Sequence, residues 1–217
     1  MLHILSVDNY MPSICNMTAP AHRQEVFAVL RDKGIARARD FSAAGIPRTY
    51  LRRMLDDGTL VQRGRGLYQL SDAEFSAAHS LAEVARAVPH GVIGLLSALQ
   101  FHELTTQTPH EVWMLIGWKK WAPRNPPVTL RLVRATGEAL TAGVKVHRIE
   151  NVPVPITVPA KTVADCFKHR HKIGLDVALE ALRDCIRKRK ATVDEIWRYA
   201  GIDRVQNVMR PYLEALQ

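Results

Sequence analysis

The chain has 217 residues, a formal charge of +9 and 47% hydrophobic residues. That is enough for one or two domains with real cores, and the positive balance favours a polyanionic partner without specifying a fold. No run approaches the ~18 apolar residues of a membrane span, so no membrane partner is expected. The three cysteines, Cys15, Cys166 and Cys185, are too few and too irregularly spaced for a disulfide framework and suit a reducing cytoplasm.

Residues 1–20 carry Met1, Met11 and Met17 but no helical or strand period, and read as a flexible tail. The natural start is open among those three methionines. "RQEVFAVLRDKG" (23–34) then places Val26, Phe27 and Leu30 at helical spacing, with Gly34 at the C-cap position. "ARARDFSAAG" (36–45) predicts a second short helix with Phe41 inward, broken by "IP". "RTYLRRMLDDG" (48–58) predicts a third, with Pro47 at its start and Gly58 at its end.

At 100° per residue, Leu51, Met54 and Leu55 share one side of this third helix. Arg48, Thr49, Arg52 and Arg53 share the other. The stretch "TLVQRGRGLYQL" that follows reads as a hairpin. Its glycines Gly64 and Gly66 permit a tight turn, and Arg63 and Arg65 sit at its tip. Three short helices and a hairpin make a winged helix-turn-helix, in which the apolar side docks and the basic side enters the major groove. Arginine suits both guanine edges and phosphate. The six candidate DNA contacts are therefore Arg48, Thr49, Arg52, Arg53, Arg63 and Arg65, the wing arginines being expected to splay from the turn with little role in packing.

Residues 71–90 read as a linking helix, with Ser71 and Glu74 forming a capping box. "VIGLLSALQFHELT" (92–105) predicts an apolar buried helix. "EVWMLIG", "VTLRLVR", "VKVHRIE" and "VPITVP" predict strands, the second and third with one wet face. Between the first two lies a proline-rich loop, "KKWAPRNPP" (119–127). Helices return over 160–171, 174–190, 192–200 and 204–216, with a Thr192–Glu195 capping box. The fold class is thus α+β: a winged helix (21–70), then a mixed α/β C-terminal domain (91–217) with a small sheet and several helices.

Chemistry is sparse in that second part. Cys166, His169 and His171 lack a fourth ligand, so neither a metal nor a cofactor is expected. No phosphate loop or hydrolase elbow is present. Cys166 and Cys185 read as core, and Lys161 and Asp165 as an i,i+4 pair. The run Arg187, Lys188, Arg189, Lys190 is either a solvated helix end or a second polyanion contact. Trp118 and Trp121, flanked by Lys119 and Lys120, either fold back over the sheet or anchor a partner, protein or nucleic acid.

The segments "GIARARDFSAAGIPRTYLRRMLDDGTLVQRGRGLYQL", "VIGLLSALQFHELT" and "ITVPAKTVADCF", in this order, resemble the AbiEi family of antitoxins and transcriptional regulators of bacterial abortive-infection toxin–antitoxin systems. The resemblance runs over about residues 21–190. It implies a regulator that represses its own operon on inverted DNA repeats and counters a nucleotidyltransferase-like toxin. The recognition role would fall on Arg48, Thr49, Arg52 and Arg53 and the wing role on Arg63 and Arg65; no toxin contact carries over. Two other classes remain open: a winged helix that docks protein, signalled by a wing folded back with its arginines hidden, and a DNA-directed enzyme, signalled by carboxylates converging in a cleft.

Overall fold

The computed structural model describes residues 19–73 and 78–216, so residues 1–18 of the expected tail, with the alternative starts, and Glu74 of the expected capping box lie outside the described residues, while residues 19 and 20 of that tail already belong to a helix. The first part opens with α1 (Ala19–Lys33), which Gly34 ends at φ +64°. Then come β1 (Ala36–Arg37), α2 (Ala38–Ala43), α3 (Arg48–Asp56), β2 (Leu60–Gly64) and β3 (Leu67–Leu70). The expected second helix starts two residues late because Ala36 and Arg37 pair with Tyr68 and Leu67. A three-stranded antiparallel sheet, ordered β1-β3-β2, results, with a small core of Val26, Leu30, Phe41, Ile46, Leu51, Met54 and Leu60. This is a winged helix. Leu55, read as a docking residue, packs only at the margin of that core and is half-buried.

α4 (His79–Ala87) is shorter than the linking helix read from the sequence, and it is a packing element rather than a spacer: Leu81, Ala82, Val84 and Ala85 are buried. The expected 92–105 helix is divided. Val92–Ile93 form β4 in the middle of a second sheet, and only Leu95–Phe101 is helical (α5). The reason is tertiary: Ile93 is flanked by Met114 and Ile156, backbone partners distant in sequence. With β5 (Val112–Gly117), β6 (Leu130–Ala135), β7 (Val144–Ile149) and β8 (Val152–Thr157) this makes a mixed five-stranded sheet, ordered β6-β5-β4-β8-β7.

Both faces of the sheet are covered, which is why β5 reads as a continuous apolar run. Trp113 and Leu115 point into a core formed with α5, α7 (Pro159–Lys168), α9 (Leu175–Arg187), α10 (Val193–Ile202) and α11 (Gln206–Glu214). Val112, Met114 and Ile116 point the other way, into a core shared with α4 and with Ile35 and Leu67 of the winged helix. Two short helices, α6 (Glu138–Thr141) and α8 (Arg170–Ile173), complete the second part. The Thr192–Glu195 capping box forms, and Cys166 and Cys185 are buried free thiols.

The winged helix is bolted to the sheet rather than tethered. Arg37 donates to the Arg86 and Ala87 carbonyls, and Arg86 reaches back to Asp40 at 3.0 Å. Asn151 donates to the Arg31 carbonyl at 2.8 Å. Gly34 faces the β7–β8 turn so closely that a Cβ there would lie 1.8 Å from the Glu150 carbonyl oxygen. With its left-handed φ, Gly34→Ala should cost at least ~1–3 kcal/mol and loosen this junction. Thermal melting and limited proteolysis after residue 34 check it; an unchanged melt and digestion pattern would show the two turns part without cost.

Candidate nucleic-acid interface

α3 is held by Leu51 and Met54, each 1% exposed, against Phe41 and Leu60. Its opposite face therefore presents Arg48, Thr49, Arg52 and Arg53 to solvent, and all four are exposed. Among the described residues, none of these three arginines has an ion-pair partner. The geometry is what a recognition helix requires: an apolar side that fixes the axis and a cationic side that is not neutralised from within.

The wing treats its two arginines differently. Arg65 is exposed beside Gly66, whose φ of +71° makes the turn. Arg63 sits at a register shift between Gln62 and Gly64, and this bulge turns its side chain inward. There Nε donates to the buried Gln69 amide oxygen at 3.0 Å and lies 3.7 Å from Glu83 of α4. Glu83 in turn lies 3.4 Å from His79, which meets Glu150 at 2.7 Å. Burial raises the Glu83 pKa, and His79 and Arg63 oppose that shift. The expectation that both wing arginines are splayed and spare is thus corrected for Arg63, which fastens the wing to α4. A wing folded back was the sign named for protein docking. That condition is met by Arg63 and not by Arg65 or α3.

Two arginines that sequence reading passed over join the site. Arg37 and Arg39 line a cleft of about 390 Å³ together with Arg48, Arg65 and, from the loop between β5 and β6, Pro123, Asn125 and Pro127. Burial lowers the pKa of Arg37, and the nearby charges of Arg39 and Arg86 add to that against Asp40. The alternation in "ARAR" was the available signal. The basic run at the end of α9 is placed elsewhere and is partly neutralised: Arg187 and Lys188 pair with Asp184 at 2.6 and 2.8 Å, and Lys190 lies 3.9 Å from Glu103. Arg189, at φ +53°, is exposed.

The converging carboxylates that a nuclease would need do occur, but not in a cleft. Lys161 bonds Asp165, and its Nζ lies 3.0 Å from Asp203, which also meets Lys168 at 3.1 Å. Lys161, Asp165 and Asp203 are 0–3% exposed, so the cluster is sealed from any substrate and acts in packing. Among the described residues, no group of three or more His, Cys, Asp or Glu side chains is placed to hold a metal ion. No helix among them is long and apolar enough to cross a membrane.

Comparison with known proteins agrees with the winged-helix geometry. Residues 24–71 match the family described as "Transcriptional regulator, AbiEi antitoxin". This part of the chain is an AbiEi-like antitoxin/regulator domain; the match does not extend to the later segments in which the sequence resemblance was also read. No curated protein matches the chain. Among solved structures, the RV2827C protein from Mycobacterium tuberculosis shares the fold. Its TM-score is 0.56 at 16% identity, over 84% of this chain and 72% of that one. The family matched is, by its description, one of transcriptional regulators and antitoxins.

Proposed function

We propose that the chain is a DNA-binding transcriptional regulator working in the cytoplasm, with residues 21–70 as the DNA-binding unit. The observation that carries this is the exposed, unpaired basic face of α3 with Arg65 beside it. The target is a double-stranded operator, with inverted repeats read by paired protomers or by one protomer at a time. α3 reads bases through Arg48, Thr49, Arg52 and Arg53, and Arg65 holds phosphate. Arg63 contributes by fixing the wing, and adds positive potential rather than a direct contact. Residues 71–90 join this unit to residues 91–217, which carry the antitoxin role. The family description supports regulation and the countering of a toxin; that the protein represses its own operon and that the toxin is nucleotidyltransferase-like are what the sequence resemblance implies. The run 187–190 serves as a second, weaker polyanion contact, centred on Arg189.

The wing supplies the test. Arg65→Ala should weaken binding to operator and scrambled duplex alike and lower the slope of log K against log salt by ~0.9, one phosphate's share. Arg63→Ala should leave that slope unchanged and instead lower the melting temperature, because Gln69 and Glu83 lose their cation. Titrations at several salt concentrations, with melts in parallel, separate the two roles. Equal slope losses for both variants would return Arg63 to the DNA, and no loss for either would remove the wing from it. The toxin arm is tested by co-expression with the neighbouring gene: failure to restore growth would leave a regulator alone.

A further inference from the structure

The loop between β5 and β6 exposes two large aromatics, Trp118 at 70% and Trp121 at 78%, next to exposed Lys119, Lys120 and Arg124. It is nevertheless held firmly from beneath. Arg134 donates to the carbonyls of Gly117, Trp118 and Lys120, and its guanidinium lies 5.5 Å from the Trp121 ring centroid. His90 bonds the Trp121 carbonyl at 3.1 Å. Large apolar rings so placed and fixed by several bonds are organised to be covered. Their surroundings say by what. The loop adjoins the wing: a Cβ on Gly64 would meet Pro127 at 3.6 Å. Its residues Pro123, Asn125 and Pro127 also form one wall of the cleft whose other walls carry Arg48 and Arg65.

We propose that the Trp118–Pro127 loop is a second DNA-contacting element, which grips the duplex where it passes beyond the wing. This rests on the DNA reading above and extends it to the C-terminal part of the chain. A duplex seated on α3 and held by Arg65 is bordered on the wing side by this loop. Lys119, Lys120 and Arg124 meet the phosphates there, and the tryptophan faces cover deoxyribose edges that phosphate-binding cations cannot shield. The cation content and the continuity with the arginine-lined cleft favour DNA over a protein partner.

The test uses the full chain and two duplexes from its own promoter, one trimmed to the operator core and one extended on both sides. The triple variant Lys119→Ala, Lys120→Ala, Arg124→Ala should lower the salt slope on the extended duplex by ~2–3 units and leave the trimmed duplex unaffected. Trp118→Phe with Trp121→Phe should abolish the change in tryptophan emission on binding, since Trp113 is buried in the sheet core and Trp197 of α10 packs against that core, away from the loop. Unchanged slope and emission change in these variants, while Arg52→Ala still weakens binding, would overturn this inference and spare the DNA reading. Loss of toxin capture with DNA binding intact would overturn it in favour of a protein partner. Failure of the parent chain to bind either duplex would defeat both readings together.

Discussion

Lys161→Ala should lower the unfolding free energy by ~3–5 kcal/mol, the usual consequence of removing one member of a buried ion cluster and stranding its partners. For a chain of this length that corresponds to a fall in melting temperature of roughly 6–20 °C. Lys161 is fully buried in α7, between Asp165 on its own helix and Asp203 at the end of α10. It also packs under the β6–β7 connection, where a Cβ on Gly143 would lie 2.8 Å from its own Cβ. The lysine therefore ties together three segments that lie far apart in the sequence.

Asp165 gives this prediction a pH signature. Burial, and then Asp203, raise its pKa to about 7 against the attraction of Lys161. The folded chain then holds a proton that the unfolded chain has already released. Stability from this group is full below the unfolded value of 3.8 and declines as pH rises towards about 7. Asp165→Asn fixes the neutral form and should flatten that decline. Urea unfolding at intervals from pH 5 to 8 measures it. A parent whose stability holds level over this range would show that Lys161 keeps Asp165 ionised throughout.

Arg52→Ala combined with Arg53→Ala should reduce operator affinity by ~2–6 kcal/mol, roughly 30-fold or more, if each arginine makes a bidentate base contact. Both side chains are exposed, opposite the buried Leu51, so the melting temperature should stay within about a degree or two of the parent. A gel shift on the gene's own promoter, with a scrambled duplex beside it, reads the outcome. Loss confined to the operator assigns base readout, equal loss on both assigns phosphate contact, and no loss on either removes α3 from the interface.

What was legible in the sequence is what short-range periodicity controls. The division of α3 into a docking and a basic side follows from the 100° step and needs no distant partner. The same holds for the Thr192–Glu195 capping box, for Gly34 at the C-cap of α1, and for "EVWMLIG" as a strand, although which of its residues face which core did not show in so uniformly apolar a run. These local signals determined the α+β class, the winged helix and the family resemblance of its residues. Only tertiary structure decided which polar groups were spare. Arg63 and Arg65 look equivalent in "QRGRG", but a bulge and the carboxylate of Glu83 on another helix claim the first and leave the second. Val92 and Ile93 belong to an apolar stretch that would serve a helix equally well, until strands from both sides bond their backbone. Lys161 and Asp165 announce themselves at i,i+4, whereas Asp203 joins them only when α10 packs on α7. In each case the deciding energy is a contact between groups far apart along the chain, and no periodicity carries that information.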